Sequence, residues 1–218
     1  MWDNLAMLKR KRSKFKKASG KARRHTQRND PIHDWARFEV MVRSQQFAKL
    51  ALSAVVTKGE KNLDGNIILA VLPAWDEIMQ WIDKDPTCVF KIDPWKWEEI
   101  IAACYERSGF TVTLTPRSGD LGRDIIAVKD GFWSVRFIES VKRYAPGNPV
   151  TANDVRALGH VLQADQDASK GIVSTTSNFA PGVFEDPLIK PFLPNRIELL
   201  DGNKTLARLK AAWQSGSG

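Results

Sequence analysis

The chain has 218 residues, 43% hydrophobic and 27% charged, an ordinary globular composition long enough for one well-buried core plus an appendage. No run of about 18 apolar residues exists, and the longest apolar stretch, Ile67 to Trp75, is broken by Pro73, which excludes a membrane span. The formal charge is +8, and it is unevenly distributed.

Residues 1–30 carry eleven Lys or Arg against Asp3 and Asp30, a net +9, so the remainder of the chain is close to −1. A self-repelling block without apolar periodicity predicts a disordered arm that condenses on a polyanion, with nucleic-acid contact favoured over a merely solubilising role, although charge alone does not separate DNA from RNA or an anionic surface. No apolar stretch or small-residue cleavage site follows it, so it does not read as a secretory signal. Cys88 and Cys104 are the only cysteines, and they read as buried free thiols, which suits a reducing cytoplasm.

From Trp35 to Ala54 the apolar residues recur at helical spacing and predict an amphipathic helix. Lys58 to Asn66, with Gly59, Asn62, Asp64 and Gly65, reads as a loop. Ile67 to Ile82 reads as two short helices split at Pro73. Residues 31–92 are thus expected to form a helical packing or dimerisation region.

Asp93-Pro94 opens a helix over Trp95 to Arg107, with Trp97, Ile100, Ile101, Cys104 and Tyr105 on one face and Glu98 at its border. Ser108-Gly109 ends it. Phe110 to Thr115 is a predicted strand, Pro116 to Gly122 a loop, and Arg123 to Lys129 a second strand. Asp130-Gly131 marks a hairpin into a third strand, Trp133 to Tyr144. Thr151 and Asp154 resemble a capping box before a helix carrying Val155, Leu158 and Leu162. Strands at Gly171 to Ser174 and Arg196 to Leu200 and a helix over Asn203 to Trp213 complete the pattern. The fold class expected for residues 93–214 is α/β, a mixed central sheet flanked by helices.

Hydrolysis of a phosphodiester requires charge neutralisation at the phosphoryl oxygens and a hydroxide at neutral pH, which a divalent cation supplies when carboxylates hold it beside a cationic side chain. Asp124 begins one predicted strand, and Glu139, Ser140 and Lys142 lie on its hairpin partner. Glu98 could reach the same metal from the helix. The histidines form no cluster with the cysteines, and His160 reads as a surface or packing residue. Most of the eight tryptophans read as core, while Trp133 near the hairpin fits either core or base stacking.

Trp97-Glu98-Glu99-Ile100-Ile101, Ser108-Gly109-Phe110, Thr115-Pro116-Arg117-Ser118-Gly119-Asp120 and Gly122-Arg123-Asp124 follow one another in the order of the opening motifs of Mrr-like restriction endonucleases. Val141-Lys142-Arg143-Tyr144, Asp154-Val155-Arg156-Ala157-Leu158, Gly171 to Thr176 with Phe179, and Leu199-Leu200-Asp201-Gly202 continue the match. The chain therefore resembles that family within the PD-(D/E)xK nuclease superfamily.

The resemblance implies a restriction-endonuclease-like fold and an Mg²⁺-dependent DNA endonuclease, with Mn²⁺ substituting, in restriction or antiphage defence. It makes Asp124 the metal-binding acid, Lys142 the residue that positions or polarises water, and Glu98 the helix carboxylate near the metal. Arg117, Arg123, Arg143 and Tyr144 would contact the DNA backbone, whereas Asp120 reads as turn chemistry. The family usually has Gln or Glu two residues before the lysine, but here Ser140 stands there and Glu139 precedes it. Strand alternation turns Ser140 and Lys142 to one face and Glu139 away unless a bulge re-aims it as a further metal ligand. The alternative is a catalytically silent DNA-binding or partner-docking subunit of the same fold, and an RNA-cleaving effector shares the chemistry. Double-stranded DNA as substrate implies a homodimer, and a defence-system partner subunit could supply targeting.

Overall fold

Backbone pairing arranges all the strands into one mixed sheet in the computed structural model, which describes residues 41–43, 45–50, 53–116 and 122–215. The basic tail, and the expected helix before residue 41, lie outside the described residues. The strands are β1 (Val56–Lys61), β2 (Asn66–Ala70), β3 (Thr111–Leu114), β4 (Ile125–Lys129), β5 (Val135–Lys142), β6 (Lys170–Thr175) and β7 (Ile197–Leu200), and they lie in the sheet in chain order. β1 to β5 run antiparallel, while β5, β6 and β7 are parallel.

Parallel pairing needs a crossover. The one between β5 and β6 is α3 (Ala152–Ala164), which buries Val155, Leu158, Val161 and Leu162. Its first turn is capped by Asp154, whose carboxylate accepts from Thr151 N at 2.9 Å and Thr151 Oγ at 2.7 Å. Gly171 lets the helix sit close on β6, because a Cβ there would come within 2.6 Å of Leu162 Cδ1. Ile138, Val173, Ile197 and Leu199 face this helix in one apolar cluster.

The other face of the sheet carries α1 (Leu72–Lys84), α2 (Pro94–Arg107) and α5 (Gly202–Ser215), while α4 (Gly182–Glu185) is a short turn before β7. Trp75, Trp97, Ile100 and Ile101 are wholly buried there with Val112, Ile125, Ala127 and Val141. The helical residues 45–50 add Phe47, whose ring lies 5.6 Å from that of Trp81. α2 begins where expected, with Asp93 Oδ1 accepting from Trp95 N at 2.9 Å. Cys88 and Cys104 are buried free thiols in this layer, and burial pushes them up to about 12 and about 11.

The helical region expected over residues 31–92 is corrected between 56 and 70: Lys58 to Asn66, expected as a loop, and Ile67 to Ala70, expected as helix, belong instead to the β1–β2 hairpin that extends the sheet. Only Val56 of β1 is buried, so this edge strand has no inward-facing pattern to read. Pro73 does not split a helix either: it lies in the first turn of α1, where a missing N–H costs nothing. No described helix is long and apolar enough to cross a membrane.

Candidate active site

Asp124 immediately precedes β4, and neighbouring strands grip its backbone on both sides. Its N–H donates to Glu139 O at 3.0 Å, and its carbonyl accepts from Thr115 N at 3.2 Å. The side chain leans over β5, where Oδ2 accepts from Val141 N at 2.6 Å and lies 3.4 Å from Ser140 Oγ. Asp124 is thus held over Ser140 and Val141, and Lys142 is the next residue along β5.

The β4–β5 register runs unbroken from Ile125 opposite Glu139 to Lys129 opposite Val135. Without a bulge, alternation places Ser140 and Lys142 on the Asp124 side and Glu139 on the reverse. Ser140 is buried. Lys142 is partly exposed at the end of β5, and its carbonyl accepts from Thr176 N at 3.2 Å, which ties it to the end of β6.

Glu139 is a correction to the expected metal set. Its carboxylate is 1% exposed and faces α2 and α5, where Arg208 Nη2 donates to Oε1 at 2.7 Å and Nη1 to Oε2 at 2.8 Å. Tyr105 Oη and Ser174 Oγ donate to the same group. Burial, and then the Glu139 charge, hold the Tyr105 phenol well above its ordinary value, so it keeps its proton for this bond. Burial works against charge on Arg208, but Glu139 beside it raises that guanidinium above its usual value. Arg208 and Tyr105 have no counterpart among the expected site residues. The one sequence signal was an arginine next to Leu209 on the buried side of the closing helix.

Glu98 is partly buried in the first turns of α2, on the helix layer that covers the reverse face. Among the described residues no group of three or more His, Cys, Asp or Glu is placed to hold a metal ion. The carboxylates of Asp124, Glu98 and Glu139 are therefore not gathered into one set.

Arg117 and Asp120 lie outside the described residues. Arg123 forms an ion pair of 3.6 Å with Asp64 of the β1–β2 turn. The same aspartate is 3.2 Å from Arg136, which also binds Asp165 at 3.0 Å, so the turn is tied across the sheet to the end of α3. Arg143 Nη1 donates to Phe90 O at 3.1 Å. Tyr144 Oη lies 3.4 Å from Asp154 Oδ1, and burial together with that carboxylate raises its phenol above the ordinary value. His160 is exposed on α3.

The Mrr_cat family model, described as restriction endonuclease, matches residues 89–209. No curated protein matches the chain. Two solved structures are similar to it: the DNA modification-dependent restriction endonuclease AspBHI, at 16% identity and a TM-score of 0.42 over 66% of this chain and 39% of that one; and the MspJI restriction endonuclease in complex with a 27-mer oligonucleotide, at 16% identity and a TM-score of 0.40 over 67% and 33%. The chain spans well under half the length of either. The model match covers more than half of the sequence and includes α2, Asp124, the β4–β5 pair and Lys142, so this chain belongs to the Mrr_cat restriction endonuclease family.

Proposed function

We propose that the chain is a divalent-metal-dependent endonuclease that hydrolyses DNA phosphodiester bonds in restriction or antiphage defence. The observation that carries this reading is the Asp124 carboxylate, held at 2.6 Å by Val141 N on the strand that presents Lys142. A bound Mg²⁺ would neutralise phosphoryl charge and lower the pKa of a water, and Mn²⁺ would substitute for it. The donors suit such a hard cation: a carboxylate and a hydroxyl oxygen, with no His or Cys grouped with them among the described residues. Mg²⁺ commonly uses one or two carboxylates and retains several waters, so the Asp124 carboxylate with the Ser140 hydroxyl and waters would be a sufficient set without Glu98, which lies on the helix layer of the reverse face.

In this reading Lys142 orients the attacking water and stabilises charge on the phosphoryl oxygens. Glu139 takes no part in metal binding. Arg123, Arg143 and Tyr144 would meet the DNA backbone, as would Arg117 and the basic tail. For Arg123, Arg143 and Tyr144 this means exchanging their present protein partners for phosphate. Double-strand cutting requires two such sites and hence a homodimer, to which residues 31–92 are assigned, with targeting in the cell supplied by a partner subunit.

The test is cleavage of supercoiled plasmid with Mg²⁺, Mn²⁺ or EDTA by the wild type, Asp124→Ala and Lys142→Ala, each verified as folded. Metal-dependent nicking is expected, with losses on the order of 10²-fold or more in both variants. A second reading, a silent DNA-binding or partner-docking subunit, is favoured by Ser140 in the position where Gln or Glu is usual and by the burial of Glu139. DNA binding without cleavage, indifferent to metal and to Lys142, would establish it instead.

A further inference from the structure

We propose that Glu139 is a positioning residue whose buried carboxylate, clamped by Arg208, fixes the stretch of β5 that holds Asp124 beside Lys142. The inference rests on the reading of Asp124 and Lys142 as the active-site pair. Asp124 makes two short contacts with β5, one to Glu139 O at 3.0 Å and one from Val141 N at 2.6 Å. Those two anchor residues bracket Ser140. Any rotation of β5 about its own axis would swing Val141 N and the Lys142 side chain relative to Asp124 together.

The Glu139 side chain opposes that rotation from the reverse face. Arg208 meets it with two parallel N–H bonds, the arrangement that gives guanidinium–carboxylate pairs their geometric definition. Arg208 also donates to Tyr105 Oη at 3.1 Å and lies 5.1 Å over that ring. With Ser174 from β6, the clamp joins α2, β5, β6 and α5 at one carboxylate. Buried ion pairs are poor contributors to stability, and apolar replacements of similar volume are often neutral or better. An acid with four donors directly beneath the active strand therefore has its stronger rationale in geometry.

A purely structural role and a positioning role differ in where their loss is felt. Glu139→Gln keeps the side-chain volume and removes the charge that Arg208 grips. Hydrogen exchange in this variant is expected to accelerate by about tenfold or more at the Asp124 and Val141 amides, while Val173 on the α3 side stays as in the wild type. Cleavage of plasmid DNA with Mg²⁺ should lose kcat by roughly 10- to 10²-fold, with duplex affinity little changed. A folded Glu139→Gln protein with wild-type exchange at both amides, or with acceleration spread evenly over Asp124, Val141 and Val173, overturns the proposal. If that variant does not fold, Tyr105→Phe, which removes one donor, decides on the same amides. Lys142→Ala is run alongside: full activity there refutes the catalytic reading, and the exchange data still decide the positioning role separately.

Discussion

Asp124 is held more firmly by the backbone of β5 than by a side chain, since Val141 N lies at 2.6 Å and Ser140 Oγ at 3.4 Å. A charge-assisted bond at the shorter distance is the stronger of the two. Ser140→Ala should therefore lower the plasmid nicking rate by only roughly 2- to 5-fold. If Ser140→Ala proves as inactive as Asp124→Ala, the hydroxyl is itself an indispensable ligand and the backbone-held picture is wrong. That Asp124 lies beside Ser140, with Lys142 two residues further along the same strand, is legible in the sequence because a hairpin signal and strand alternation suffice to place them. Glu139 was legible only as an ambiguity. Its fate depends on Arg208, separated from it by 69 positions, and no local pattern encodes so distant a contact.

Elements with their own start signals are legible in the sequence, whereas β1 and β2, which lack them, are not. α2 and α3 announce themselves through Asp93, Pro94, Thr151 and Asp154, each of which has the local role its position suggested. β1 has five exposed residues in succession, which carry no strand pattern and resemble a loop. Its hairpin is defined by the turn: Asn62 Oδ1 accepts from Asp64 N at 3.0 Å and Gly65 N at 2.9 Å, while Asn62 Nδ2 donates to Thr113 Oγ1 at 3.0 Å. Gly65 has a φ of +156°, and a Cβ there would lie 2.1 Å from Leu114 O. Gly65→Ala should thus destabilise the protein by about 1–3 kcal/mol in urea titration. Gly131→Ala, whose nearest neighbour would be at 3.8 Å, should cost under about 0.5 kcal/mol. Equal effects at the two glycines would mean that the β1–β2 turn yields easily and does not hold the hairpin on β3.

Charge at the scale of the whole chain separates a net +9 in residues 1–30 from a remainder near −1. Much of the cationic charge around the sheet is already committed: Arg136 to Asp64 and Asp165, Arg156 to Asp186, and Arg208 to Glu139. Using those side chains on DNA would require breaking ion pairs, whereas each lysine or arginine outside such pairs gains affinity by releasing counterions from phosphate. In the proposed function the first thirty residues should then supply much of the salt-sensitive grip, while Asp124 and Lys142 perform the chemistry. Removing residues 1–30 leaves the described residues intact, so binding and catalysis can be separated. In anisotropy titrations of a short duplex at several salt concentrations, the truncated chain should bind more weakly. Its slope of log K against log salt should become shallower by roughly 0.9 for each phosphate that the tail had neutralised. Its kcat at saturating DNA should stay near that of the full chain, because backbone contacts add affinity without performing the chemistry. An unchanged slope would place the electrostatic grip on the folded residues instead, and Arg123 and Arg143 would then have to exchange their present partners for phosphate on binding.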